Sequence, residues 1–313
     1  MQVEPGAATA EIGELMWGDQ YRRVFGNRSF RRFWLGFAFS SLGDAMTRVA
    51  LTWYVFSVTG SSRALGLLVL CYTGPILVGG LVAGSLLDRF DRRRVMAADS
   101  VVRGLAVFSI PLLHALGRLE LWQVYAVAAI YGLLMMISLA GGPAIVPSLV
   151  ADEDLVTVNA LELLGFTVGG IVGPPAAGLL LGWVGAPNVL LVDAASYALF
   201  ALALTGVRYR PESAPPTRRP AGGYRLADAF RLMADNPILR STTLMFMAFN
   251  VGNGLLAVWL PIFSAHTLHG GAGLYGALLG AIAVGELASS LAAGSMTFPL
   301  PLGTLICLSQ VLT

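Results

Sequence analysis

The stretch Gly84–Met96, GSLLDRFDRRRVM, packs six charges into the seven residues from Asp88 to Arg94. Long apolar segments almost without charge flank it on both sides. A chain that confines charge to short turns between such segments reads as a series of membrane-spanning helices joined by polar loops.

Composition agrees. Of 313 residues, 56% are hydrophobic and only 12% are charged, and the mean hydropathy is +0.72. A soluble domain carries about 25% charged residues. The bulk of this chain therefore belongs in the lipid bilayer. A formal net charge of +2 is too small to point to a nucleic-acid partner. Cys71 and Cys307 both lie inside apolar runs, which argues against a disulfide framework or thiolate site. His266-x-x-His269 offers two ligands with no nearby carboxylate or Cys, so it reads as a wet loop. No metal and no cofactor is expected. The first thirty residues lack an apolar core followed by a cleavage site, so no signal peptide is expected.

A spanning helix needs about twenty mostly apolar residues. Runs of that kind fall at 33–57, 65–87, 95–116, 121–149, 155–183, 188–207, 241–264 and 274–297, with a shorter apolar piece at 300–313. Pro211, Pro215, Pro216 and Pro220, together with seven Arg, mark 207–240 as a polar linker, with a short amphipathic helix near 225–234. The predicted organisation is a cytoplasmic tail (1–32), a six-helix bundle (33–207), a linker (208–240) and an incomplete second bundle (241–313). The tail, the 88–94 loop and the linker hold sixteen Arg, whereas the alternate loops hold only Arg63 and Arg118. By the positive-inside rule the N-terminus and linker are cytoplasmic, in a cell inner membrane or plasma membrane.

The chain also repeats itself. At an offset of 209, Asn27 meets Asn236, Arg31 meets Arg240, Gly43 meets Gly252 and Asp44 meets Asn253. With one residue inserted, Ala83-Gly84-Ser85 meets Ala293-Gly294-Ser295. Two related halves are a mark of transporters. After Ser295 the second copy should show a charged turn but reads MTFPLPLG. Equal halves would leave spans ten to twelve missing, so a truncated or altered C-terminal part is expected.

The opening stretch resembles motif A of the major facilitator superfamily, in Gly84, Leu86, Asp88, Arg89, Arg92 and Arg93. Asp91 stands in place of the usual second Gly, which predicts a looser turn. Gly84 would let a neighbouring helix approach closely. Asp88 would accept bonds from helix N-terminal amides and pair with Arg. The resemblance implies a latch that favours the outward-facing state. A second stretch, GGIVGPPAAG at 169–178, resembles the superfamily's antiporter motif C, in Gly169, Gly173, Pro174 and Gly178. Gly165, Gly169, Gly173 and Ala177 make one lane of small residues; Gly170, Pro174, Gly178 and Gly182 make the next. Such lanes serve close helix packing in any case. SLGDAMTRVAL (41–51), PSLVADEDLVTVNAL (147–161) and VDAASYAL (192–199) are similar to the drug- and siderophore-exporting branch. The resemblance covers residues 28–296 and implies export. Span 121–149 lacks the Arg that many drug antiporters carry there, which leaves a proton step through such an Arg without a carrier.

One Arg or Asp at mid-span costs roughly 2.5–3.5 kcal/mol by insertion scales, so each intramembrane charge needs a reason. Asp44 and Arg48 are four apart on span one and are expected to pair; Asp99 and Arg103 repeat the spacing on span three. Asp193 is placed near the outer end of span six and Glu162 near the cytoplasmic end of span five, both solvated. Glu286 lies deep in span eight without a local partner. Asp44 and Glu286 are the proton-site candidates, against structural pairing as the alternative. Asn250 and Asn253 share a face of span seven, for substrate contact or for helix bridging.

The sequence thus predicts an all-α membrane protein of the major facilitator fold, a secondary transporter exporting a small amphipathic molecule with protons as coupling ion. The competing reading is a truncated, non-transporting membrane protein, inert or an assembly partner. No nucleophile–base constellation or metal cluster favours an enzyme.

Overall fold

The computed structural model describes residues 20–207 and 226–295, with side chains for 20–207 and 231–289. No strand occurs among these residues. In a bilayer only helices and closed barrels satisfy the backbone internally, and nine helices of eight or more residues carry the described chain. They are α1 (Arg28–Thr59), α2 (Ser62–Arg89), α3 (Arg92–Ala115), α4 (Leu121–Ile145), α5 (Leu155–Val184), α6 (Ala186–Thr205), α7 (Leu226–Asp235), α8 (Pro237–Ile262) and α9 (Ala272–Ser295). Among the described residues, seven stretches, built on α2–α6, α8 and α9, are long and apolar enough to cross a membrane. α1 has the length at 32 residues, but Asp44 and Arg48 interrupt its apolar run, and it falls outside that set. The MTFPLPLG segment and the 300–313 piece lie outside the described residues.

Local chemistry sets the boundaries. Asn27 caps α1, its Oδ1 accepting from the amides of Ser29 and Phe30. α1 stops at Gly60, whose φ of 58° suits a left-handed C-terminal residue, and Ser61 caps α2 at once. The turn from α2 to α3 is only Phe90 and Asp91. The looser turn expected from Asp91 is not found. Asp91 has φ −57°, needs no glycine, and its carboxylate accepts from the Arg94 amide as the cap of α3.

α1 lies between α5 and α6, α3 packs on α6 and α4, and α2 packs on α4. With so little contrast between lipid and apolar side chains, small residues decide how closely helices meet. A Cβ at Gly79 of α2 would fall on the Leu133 carbonyl oxygen, and one at Gly132 of α4 on that of Tyr72. A Cβ at Gly43 of α1 would strike Asp193 and Ser196 of α6. Gly84, by contrast, faces open space among the described residues. No close approach is made there among the described residues: Gly79, Ala83 and Leu87 form the buried lane of α2, and Gly84 lies beside that lane.

α9 packs along α5, while α8 touches α1 and α2 lightly. Both lanes of the motif C stretch are used, on different partners. Gly169 and Gly173 meet α1, where added Cβ atoms would lie 2.9 Å from the Ser41 carbonyl carbon and 2.6 Å from Ala45 Cβ. Gly178 meets α9, where a Cβ would lie 2.9 Å from Gly276 Cα. Gly170 and Gly182 meet nothing within 4 Å.

Candidate functional site

A cavity of about 970 Å³ opens between the first-half helices α1, α2 and α5 and the later helices α8 and α9. Its wall is mostly apolar, with Leu51, Leu68, Phe166 and Leu256 among the lining residues. The polar groups on it are few: Arg48, Thr52, Tyr72, Thr73, Thr167, Asn250, Asn253, Tyr275 and Glu286. Apolar walls with a few convergent polar groups are the usual build of a small-molecule site.

The structure thus gathers Arg48, Asn250, Asn253 and Glu286 around one space. Asn250 and Asn253 do not bridge helices among the described residues. Their Nδ2 atoms donate back to the carbonyls of Phe246 (2.8 Å) and Phe249 (3.2 Å), leaving their carbonyl ends exposed. Glu286 is exposed on the wall and has no ion-pair partner among the described residues.

A small recess joins this cavity to a buried network. Ser41, Asp44, Arg48, Tyr72, Met135, Phe166 and Gly170 line it. The expected Asp44–Arg48 pair is not made. Asp44 turns into the bundle, where Tyr197 Oη donates to its Oδ1 at 2.5 Å and Arg103 Nη1 stands 3.8 Å away. Arg48, one turn along α1, points to the cavity instead. The i,i+4 spacing permits a pair, but a buried tyrosine and guanidinium across the bundle outcompete an exposed one.

Arg103 is the hub. It is 1% exposed, and its Nε and Nη2 hold Asp99, with Nη2 to Oδ2 at 2.5 Å. Its Nη1 donates to Tyr197 Oη at 2.9 Å, and Nη2 also bonds Ser138 Oγ on α4. Its guanidinium carbon lies 4.6 Å from the centroid of the Tyr197 ring. Ser138 Oγ donates in turn to Asp99 Oδ2. Four helices, α1, α3, α4 and α6, thus meet through one cation.

Asp193 corrects the expectation of an interfacial carboxylate. It is 0% exposed, in the middle of the α1–α6 seam. Thr47 Oγ1 donates to its Oδ2 at 2.5 Å and Ser196 Oγ to its Oδ1 at 3.1 Å. Gly43 is what lets it sit against α1. Glu162 is likewise buried rather than wet, at 8% exposed. Its Oε1 has no hydrogen-bond partner and faces Gly142 of α4, 2.5 Å from where a Cβ would stand. The sequence did carry a signal for the missed residues. Asp193, Ser196 and Tyr197 fall at i, i+3 and i+4 within VDAASYAL, on one face of α6.

At the charged end of the bundle the motif A arginines bond helix C-termini. Arg92 Nη1 donates to the Ala144 carbonyl at 2.5 Å, near the end of α4. Arg93 Nη1 donates to Val207 O at 2.9 Å and Arg32 Nη1 to Gly206 O at 3.1 Å, both just past α6. Cations there satisfy carbonyls that the helix leaves unpaired and favour the negative end of its dipole. Asp88 and Arg89 are exposed. Arg23 Nη2 meets Asp154 at 2.6 Å, so the acidic turn after α4 is paired with the N-terminal segment. His266 packs edge-on against the Phe56 ring.

This arrangement of apolar helices, small-residue seams and a cavity between two groups of helices defines a multi-pass α-helical membrane protein. The sequence profile of the transmembrane secretion effector family matches residues 24–313, and the chain belongs to that family, within the major facilitator superfamily. It is 27% identical over 212 residues to the multidrug efflux pump Tap of Mycolicibacterium fortuitum, covering 65% of this chain and 51% of that protein. It is 26% identical over 235 residues to Tap of Mycobacterium tuberculosis, covering 72% of this chain and 54% of that protein. It is 24% identical over 283 residues to the enterobactin exporter EntS of Citrobacter koseri, covering 90% of this chain and 67% of that protein. The chain thus spans about half the length of the Tap pumps it matches.

Proposed function

We propose that the chain is the transporting part of a proton-coupled exporter for small amphipathic organic molecules, working by alternating access with its N-terminus in the cytoplasm. The observation that carries this reading is the cavity between the first-half helices and α8–α9, joined by a recess to the buried Asp44–Tyr197–Arg103–Asp99 network. The exporter names of its relatives support the direction. On this reading residues 33–207 rock as one bundle against the part from 241 onward, with 208–240 as the linker. The charged turn Asp88–Arg94 latches the bundles, and the Gly173–Pro174–Gly178 lanes let α5 slide between α1 and α9.

Asp44 is the coupling residue in this scheme. Asp44 and Asp99 share the buried guanidinium of Arg103, at 3.8 and 2.5 Å, and Asp193 is buried with the Thr47 and Ser196 hydroxyls as partners; uncompensated buried charge costs several kcal/mol. A proton is the simplest counter-charge for the surplus. Asp44 is the member of the three that reaches the recess, so it is the one that can exchange that proton as access alternates. Asp44→Asn is expected to abolish efflux of a cationic dye driven by a pH gradient, while dye binding persists. Tyr197→Phe removes the bond but keeps the carboxyl, and is expected to retain driven efflux with a displaced pH profile. If Tyr197→Phe abolishes driven efflux as fully as Asp44→Asn, Asp44 is a structural partner and not the coupling site. For orientation, a cysteine replacing Ser213 should label only from the cytoplasmic side and one replacing Ser62 only from outside; the opposite pattern overturns the topology.

A further inference from the structure

The two charged side chains on the cavity wall have opposite signs and come from opposite halves. Arg48 stands on α1 and Glu286 on α9, and both line the same space. Neither has an ion-pair partner within 4.0 Å among the described residues. Arg103 and Asp99 show the contrast, since there an arginine and a carboxylate are paired with each other and sealed. The remaining polar groups of the wall are uncharged amides, hydroxyls and phenols.

Both charges are exposed to the open cavity; a cargo that fills it strips their water, which is costly unless the cargo brings a counter-charge. A neutral amphiphile would leave both charges unrelieved. A cation would relieve Glu286 alone, and an anion Arg48 alone. A cargo that carries one anionic and one cationic group on a mostly apolar body relieves both. We propose that the cavity selects zwitterionic amphiphiles, with Arg48 taking the anionic group and Glu286 the cationic one. The apolar walls and stacked Trp53–Tyr275 rings beside it take the body. Because the two charges sit on the two halves, such a cargo also bridges them, so its binding favours closure of the cavity around it. This inference rests on the exporter reading and narrows it to a charge class.

The test uses dyes that share one xanthene scaffold: rhodamine B as the zwitterion, its ethyl ester as the cation and fluorescein as the anion. Binding to the purified full-length protein in detergent is read by fluorescence anisotropy. The zwitterion is expected to bind about tenfold tighter than either dye that carries charge of one sign only, the scale of one charge-assisted contact. Arg48→Leu should erase the preference of rhodamine B over its ester. Glu286→Gln should weaken both rhodamines about tenfold and leave fluorescein unchanged. Equal affinity for the three dyes, or no binding of the zwitterion, overturns the proposal. So does a uniform loss for all three in Arg48→Leu, which would make Arg48 and Glu286 a pair that shapes the cavity without reading charge. Export itself is judged separately, by energised efflux of the ester from cells. Efflux that persists while the dyes bind equally would sink the charge selection and leave the exporter reading standing.

Discussion

The two copies of the internal repeat begin alike and then part. Asn27 and Asn236 each cap a long helix, and each Oδ1 accepts from the amides two and three residues on. Arg31 and Arg240 each reach back six residues, to the carbonyls of Phe25 and Ala234. Twelve residues further along each helix, about three turns into the membrane, the likeness ends. Gly43 is pressed against Asp193 and Ser196, while Gly252 meets nothing within 4 Å. Asp44 is tied into the Arg103 network, while Asn253 is exposed on the cavity wall. The helix start is alike in both copies, where the Asn cap sets the boundary of the helix. Among the described residues, the buried charge network stands in the first copy, and the second presents Asn253 and Glu286 to the cavity.

That contrast breaks most severely at its hub. Arg103→Leu would leave Asp99 buried without its cation, a loss of about 3–5 kcal/mol. The unfolding midpoint in detergent should fall sharply or the protein should fail to insert stably. A midpoint within error of the unmodified protein would mean that the network is not the rigid element of the first half.

The paired glycines sharpen the comparison at a smaller scale. Gly43→Ala overpacks the α1–α6 seam and is expected to cost about 1–3 kcal/mol. Gly252→Ala adds a methyl to open space within a helix and should be neutral or stabilise by up to about 1 kcal/mol. Equal effects in thermal unfolding would show that the two seams are packed alike after all.

The smallest effect lies at the caps. Asn236→Ala should cost about 1 kcal/mol as a lost N-cap. Asn27→Ala should cost more, because its Nδ2 also donates to the Leu149 carbonyl at 2.6 Å and ties α1 to the turn after α4. A cap loss of the same size at both positions would show that this cross-bundle bond contributes nothing measurable.

Much of the fold was legible in the chain. Runs of about twenty apolar residues become helices because lipid offers the backbone no other partner, and caps such as Asn27, Ser61, Asp91 and Asn236 fall where polar residues interrupt those runs. The lanes of small residues in α5 were visible as spacing, and so were Arg48, Asn250, Asn253 and Glu286 as polar residues in costly places. The Asp99–Arg103 pair followed from a single helical turn.

What the sequence could not decide was which partner wins across helices. The same i,i+4 spacing closes at Asp99–Arg103 and stays open at Asp44–Arg48, because Tyr197 and Arg103 reach Asp44 from α6 and α3. The motif A arginines read as topology signals and latch parts; that Arg92 and Arg93 also bond the carbonyls at the ends of α4 and α6 was not visible in the spacing. Asp193 and Glu162 looked solvated by position along their helices, and burial came from facing helices that position does not reveal. A helical period fixes the face a side chain occupies. Whether that face meets lipid, a cavity or another helix is set by how the bundle assembles, and that decides whether a charge here is paired, buried or left to meet a cargo.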